Sequence, residues 1–162
     1  MLGIMLNSEL VWYKHYYLWC DEIIEHSEHP PFWIIELATV KYLPKATKIV
    51  NEYVYSEPFE QFNNRNNLYI ACLFLRYERQ EISWATFLTK TGEYSDGNSS
   101  KKNCEYFYDM LNKFEDSEYS NRLERNQKSD VKNIFISEIS EMQRYYDFFI
   151  PYFRRYVRTA EV

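Results

Sequence analysis

Three side chains on one segment have the types and spacing to hold a metal ion: His15, Glu22 and His26. They are seven and four residues apart, which sets them close to one line of an α-helix. Neutral imidazoles and a carboxylate suit zinc or a similar ion. His29 would extend the line, but it precedes Pro30 and is biased away from helix. The spacing lacks the H-E-x-x-H form, and the three are expected on an exposed flank, where a solvated polar face is the plainer reading. Neither a bound metal nor another cofactor is expected. An enzyme with an unfamiliar, metal-dependent helical site stands as the alternative.

Cys104 offers a second kind of chemistry. Lys101 and Lys102 and the start of a helix would both favour its thiolate. It also belongs to an apolar series with Phe107, Tyr108 and Leu111, which makes it a core residue. No G-x-x-x-x-G-K-[ST], G-x-G-x-x-G or G-x-S-x-G pattern occurs, and with 3 glycines a phosphate-cradling loop has little to be built from. Carboxylates are too plentiful for any pair to stand out as acid and base. Catalytic residues are therefore not assigned, and the chain is expected not to be an enzyme.

Tyr152-Phe-Arg-Arg-Tyr-Val-Arg158 alternates rings with cations and holds no acid, one signature of RNA contact. The same cations would complement the dipole at a helix C-terminus, and the rings would finish a core stripe. A helical RNA-binding adaptor using Arg154, Arg155 and Arg158 is a further alternative. The formal charge of -5 opposes it, because a negative field repels phosphate, so direct nucleic-acid contact is not expected.

Two acidic and aromatic stretches fit a basic protein partner better. The first is Asp21, Glu22, Glu25 and Glu28. The second is Glu105, Tyr106, Asp109, Glu115, Asp116, Glu118 and Tyr119. Each read alone resembles an ordinary solvated face. Together with an aromatic content of 19%, led by 16 tyrosines, they favour a binding surface, since tyrosine combines a large apolar body with a polar tip.

The frame that must position these residues reads as all-α. The 162 residues suit one domain, 1–162, with a core of its own, and 3 glycines with 5 prolines leave room for long regular segments. Cys20, Cys72 and Cys104 lack metal or redox spacing and read as buried thiols in a reducing compartment. The N-terminus lacks a basic leader region and no apolar run is long enough to span a membrane, so the expected location is the cytoplasm.

Periodicity places a first helix from a Ser8 cap to about His26, with Trp12, Tyr16, Cys20 and Ile23 on its apolar face. Pro30 and Pro31 end it and open Phe32–Thr39. Pro44 starts a third helix, and Pro58 with the Asn63–Asn67 run breaks the pattern. Leu68 to Arg79 follows, then a short helix from a Ser83 cap to Gly92 as its C′ residue. Asp96-Gly97-Asn98 is the turn of the next loop, and Ser100 caps a helix through Phe114. Residues 115–130 read as a loop or a short exposed helix. A long helix from Asp130 carries Val131, Phe135, Ile139, Met142, Tyr146, Phe149 and Phe153, with Pro151 kinking it near Asp147. The total is about seven to eight helices, as a bundle or a short stack of antiparallel pairs.

The segments Phe32-Trp-Ile-Ile-Glu-Leu-Ala-Thr39 and Leu68-Tyr-Ile-Ala-Cys-Leu-Phe-Leu75, set in an acidic, aromatic-rich chain, resemble the core helices of small helical bacterial immunity proteins. Those proteins protect against the toxins of contact-dependent growth inhibition and other polymorphic toxin systems. The resemblance is one of general character and transfers no residue. It implies a partner, a cognate toxin domain that is basic and a nuclease, whose active site the acidic surface would cover.

Overall fold

The scarcity of helix breakers is realised throughout. The computed structural model describes residues 1–56 and 64–160, and among these it holds nine α-helices and no strand. They are α1 (Leu2–Asn7), α2 (Tyr13–His26), α3 (Phe32–Ala38), α4 (Leu43–Ser56), α5 (Arg65–Glu78), α6 (Trp84–Ser95), α7 (Cys104–Asp116), α8 (Asn121–Ile134) and α9 (Ile136–Ala160). The all-α reading holds. Pro58 and Asn63 lie outside the described residues. None of these helices is long and apolar enough to cross a membrane.

The chain divides into two compact units. The first comprises α1 to α4 with the C-terminal part of α9, from Gln143. The second comprises α5 to α8 with the beginning of α9, up to Met142.

In the first unit α2 packs on α3, and α4 receives both α3 and α1. Leu6, Tyr16, Cys20, Leu37 and Ala46 are fully enclosed. The Tyr16 hydroxyl donates to the Val40 carbonyl, so the phenol brings no unmet donor into the core. The single first helix expected from Ser8 is two helices. Ser8 is the C-cap of α1, Glu9 takes a left-handed conformation (φ 61°), and the Leu10 N–H closes back on the Met5 carbonyl. Trp12 is fully extended before α2. Ile4, Met5 and Leu6 before this turn and Leu10 and Val11 after it are all buried, so the break between the two helices is itself part of the core.

In the second unit, sequential helices α5, α6, α7 and α8 pack in turn. Phe74, Phe87, Phe107 and Phe135 are fully buried, and Trp84 stacks on Phe87 with centroids 4.8 Å apart. Asn66 and Asn67, expected as loop residues, lie in the first turn of α5 and tie down the connection before α7. Asn66 Nδ2 donates to the Ser99 carbonyl at 2.8 Å, and Asn67 Oδ1 accepts from the Lys101 N–H at 2.9 Å. Gly97 at φ 76° makes the turn there, as expected.

Three boundaries in this unit differ from expectation. Asn103, not Ser100, caps α7, accepting from the Tyr106 N–H at 3.2 Å. The polar stretch 115–130 is mostly helix: α8 begins at Asn121, and Phe135 separates it from α9, so no continuous helix runs from Asp130. Helix α9 continues through Pro151 to Ala160.

Gly92 is the third. It sits inside α6 rather than at its end. A glycine there costs about 1 kcal/mol relative to alanine, so something must require it. That something is the Tyr108 ring, whose Cε1 would lie 2.7 Å from a Cβ at position 92. Gly92→Ala is expected to lower stability by about 1 kcal/mol by displacing that ring. In a Tyr108→Ala background the same change is expected to raise it by about 1 kcal/mol through helix propensity alone. Urea denaturation of the four proteins checks this, and a change of the same sign in both backgrounds would refute it.

Candidate partner-binding surfaces

The helical line of His15, Glu22 and His26 exists, but its three members meet different surroundings, and the expected common exposed flank does not form. His15 is only 2% exposed. Its ring stacks on Phe153 at 4.5 Å and lies 5.7 Å from Tyr146, while its Nδ1 accepts from the Trp12 N–H at 3.4 Å. Glu22 turns to Arg155, Oε2 to guanidinium nitrogen at 3.3 Å. His26 Nδ1 engages the Glu22 backbone carbonyl at 2.8 Å. One helical stripe thus starts in the core against α9 and ends in solvent. Among the described residues, histidine, cysteine and acidic side chains nowhere group in a way that could hold a metal.

The cysteines divide similarly. Cys20 and Cys72 are buried, and burial, followed by the charge of Asp21, pushes the Cys20 thiol up to about 12, far from a nucleophilic thiolate. Cys104 is half-buried rather than buried, because it is the first residue of α7 and only one side of that turn is covered.

The first acidic stretch belongs to the first unit. Asp21 and Glu22 are half-buried on α2, and Glu25 and Glu28 are exposed at and beyond its end. Asp21 and Glu22 are engaged within the chain, Asp21 with the Tyr17 phenol and Glu22 with Arg155 and the Tyr152 phenol. Only Glu25 and Glu28 remain exposed acids there. Next to Glu22 a shallow groove of about 480 Å³ is lined by Asp147, Phe148, Pro151 and Tyr152. Arg154, Arg155 and Arg158 line another shallow depression along the last turns of α9, with Arg155 held to Glu22.

The second acidic stretch belongs to the second unit and is better organised. Glu105, Asp109 and Asp116 are four and seven residues apart and form a file along the solvent side of α7. All three are exposed, as are Glu115 and Glu118. Asp109 pairs with Lys113 at 2.6 Å, an exposed i,i+4 contact of small value. Tyr106 departs from the expected surface role: it is half-buried and packs edge-on against Phe107, and burial, then Asp130, raises its phenol pKa. Tyr119 is 58% exposed.

Tyr119 also carries backbone strain. Glu118 (φ 53°) and Tyr119 (φ 61°) both adopt the left-handed region, uncommon for one bulky residue and more so for two in succession. The Tyr119 N–H bonds the Phe114 carbonyl at 2.9 Å, closing α7, and its ring meets Phe114 edge-on at 5.4 Å. These contacts keep the strained residue in place and leave its exposed ring lining a groove of about 730 Å³ together with Tyr77, Trp84, Phe114 and Glu124.

The walls of this groove are braced from behind. Trp84 Nε1 donates to Gln127 Oε1 at 2.8 Å, and Gln127 Nε2 donates to the Met110 carbonyl at 2.8 Å. The Tyr77 hydroxyl donates to Glu124 Oε1, and burial followed by that bond raises the phenol pKa, so Tyr77 stays a donor. Sequence reading found Tyr119 but missed Tyr77, Trp84 and Glu124, which come from three helices and share no local pattern. The exposed ring of Phe148 was legible in principle. With Tyr145 and Tyr152 it forms a second aromatic stripe on α9, beside the Tyr146, Phe149 and Phe153 series that lies against the core, and one core face has no use for both.

The chain matches no protein-family model, no curated protein and no solved structure.

Proposed function

We propose that this protein is a binding protein that captures a basic protein and occludes its working surface, acting as an immunity protein toward a toxin nuclease. The observation that carries this reading is the carboxylate file of α7, Glu105, Asp109 and Asp116, which is exposed and is followed three residues later by the exposed Tyr119. All three stand in solvent on the face of α7 away from the buried Phe107, Met110 and Phe114. An anionic file of this kind speeds encounter with a cationic surface, and a rigid ring at its end supplies an anchor that slows release. Nuclease domains hold phosphate with basic residues, which makes their sites suitable targets for such a face.

The test is capture from the native host followed by a toxicity assay. One basic protein is expected in one-to-one amount, toxic when expressed alone and harmless with this chain present. Recovery of nucleic acid alone, or turnover of a small molecule by the isolated chain, would refute the reading. With the partner in hand, Glu105→Lys, Asp109→Lys and Asp116→Lys combined are expected to slow association about tenfold or more at low salt and to flatten its salt dependence. An unchanged association rate in stopped flow would remove this face from the interface.

A further inference from the structure

The groove of the second unit supports a more specific assignment than the acidic file does. Its walls are aromatic: Trp84 and Phe114 are buried at its base, Tyr77 is half-buried and Tyr119 stands exposed at the rim. Two carboxylates line it. Glu81 is already matched by Arg76 at 3.5 Å and Arg79 at 2.6 Å. Glu124 is not matched by any cation among the described residues. Its partner is the Tyr77 hydroxyl, a neutral donor, and it is half-buried among rings. Lys128, four residues after Glu124, lies 5.2 Å from the Tyr77 ring centroid and pairs with Glu78 at 3.6 Å.

A carboxylate held in place by a phenol and surrounded by aromatic faces offers a charge-assisted bond at one end and π-faces along the sides. The side chain that uses both is a cation on an apolar stem. We infer that this groove receives an arginine or lysine side chain of a basic partner protein, with the cationic head at Glu124 and the stem against Tyr119 and Phe114. The assignment deepens the proposed function and rests on it for the partner's nature, while the groove's preference for a cation is testable without any partner.

The test follows the Trp84 indole N–H by NMR in the full chain, assigned by its loss in Trp84→Phe, while N-acetyl-arginine amide is titrated in. A saturable shift is expected. N-acetyl-citrulline amide, the neutral isostere, is expected to bind about tenfold more weakly or not at all. Glu124→Gln keeps the acceptor for Tyr77 and removes the charge, and should weaken arginine-amide binding about tenfold. Tyr119→Ser, which removes the exposed ring, should weaken it several-fold. Equal shifts with the arginine and citrulline amides, no shift with either, or binding that survives Glu124→Gln would each overturn the assignment. A toxin captured by a protein whose groove ignores arginine would retain the proposed function and discard the groove. An arginine-selective groove with no captured toxin would do the reverse.

Discussion

Gln127→Ala is expected to destabilise the protein by about 3 kcal/mol, despite lying in the most polar helix of the chain. Gln127 is 4% exposed and its amide is used at both ends, by Trp84 Nε1 and by the Met110 carbonyl. Truncation leaves the Trp84 indole N–H buried without its acceptor and opens a void behind the ring. Gln127→Leu refills the volume but not the hydrogen bond, so it should recover part of the loss. Adding Trp84→Phe to Gln127→Leu removes the stranded donor, and the pair should cost less than the sum of the two single changes by about 1 kcal/mol. Urea denaturation of the set measures all of these. A Gln127→Ala protein within about 0.5 kcal/mol of the parent would show that the amide carries no such role.

The second large effect depends on pH. Glu138 is buried, yet it is ionised against Lys101, whose Nζ stands 2.8 Å from its Oε2 and also donates to the Ile134 carbonyl at 3.1 Å, near the end of α8. Burial alone would raise the Glu138 pKa. Hydrogen bonds from Lys101, Ser137 and the residue's own backbone outweigh it and hold the group below its ordinary value of 4.5. A carboxylate with a depressed folded pKa contributes stability above its unfolded pKa and loses it as pH falls through the folded one.

Lys101→Met is therefore expected to cost about 2 kcal/mol at pH 7, a figure kept modest because the lysine is partly exposed. The difference from the parent should shrink steadily below pH 5 as Glu138 takes up a proton in both proteins. Glu138→Gln added to Lys101→Met should restore much of the loss at pH 7, because no buried charge is then left unmatched. Thermal unfolding across pH 3–7 checks the slope, and a Lys101→Met deficit that is constant over that range would rule out the ion pair as its cause.

Helical class was legible because it depends on local facts: few breakers, rings and aliphatics at helical spacing, and prolines at element starts. Pro31 and Pro44 open α3 and α4 as their fixed φ predicts, and Ser83 caps α6 through the Thr86 N–H. The nine helices described agree with the expected count of about seven to eight; the boundaries hardest to read are those of α1, where the N-terminal apolar run is a helix of its own, and of α8, which shows almost no apolar signal. Its buried contacts come from Gln127 and Val131, and a buried glutamine reads as surface until its partners are known. Gly92 misled for the same reason: glycine marks a helix end when nothing else demands it, and the Tyr108 ring that does demand it arrives from another helix.

The candidate sites divide along the same line. Spacing alone set Glu105, Asp109 and Asp116 on one face, because residues on a single helix carry their geometry in their numbers. Spacing also aligned His15, Glu22 and His26 correctly, but alignment along a helix says nothing about what covers each turn, and Phe153 covers the first of them. The aromatic groove was decided wholly by tertiary packing. Tyr77, Trp84, Phe114 and Glu124 lie on four helices, and what joins them is the packing of α5, α6, α7 and α8 against one another. Local periodicity is a property of one segment, while a cavity belongs to the surfaces of several, so only the folded chain determines which side chains face it.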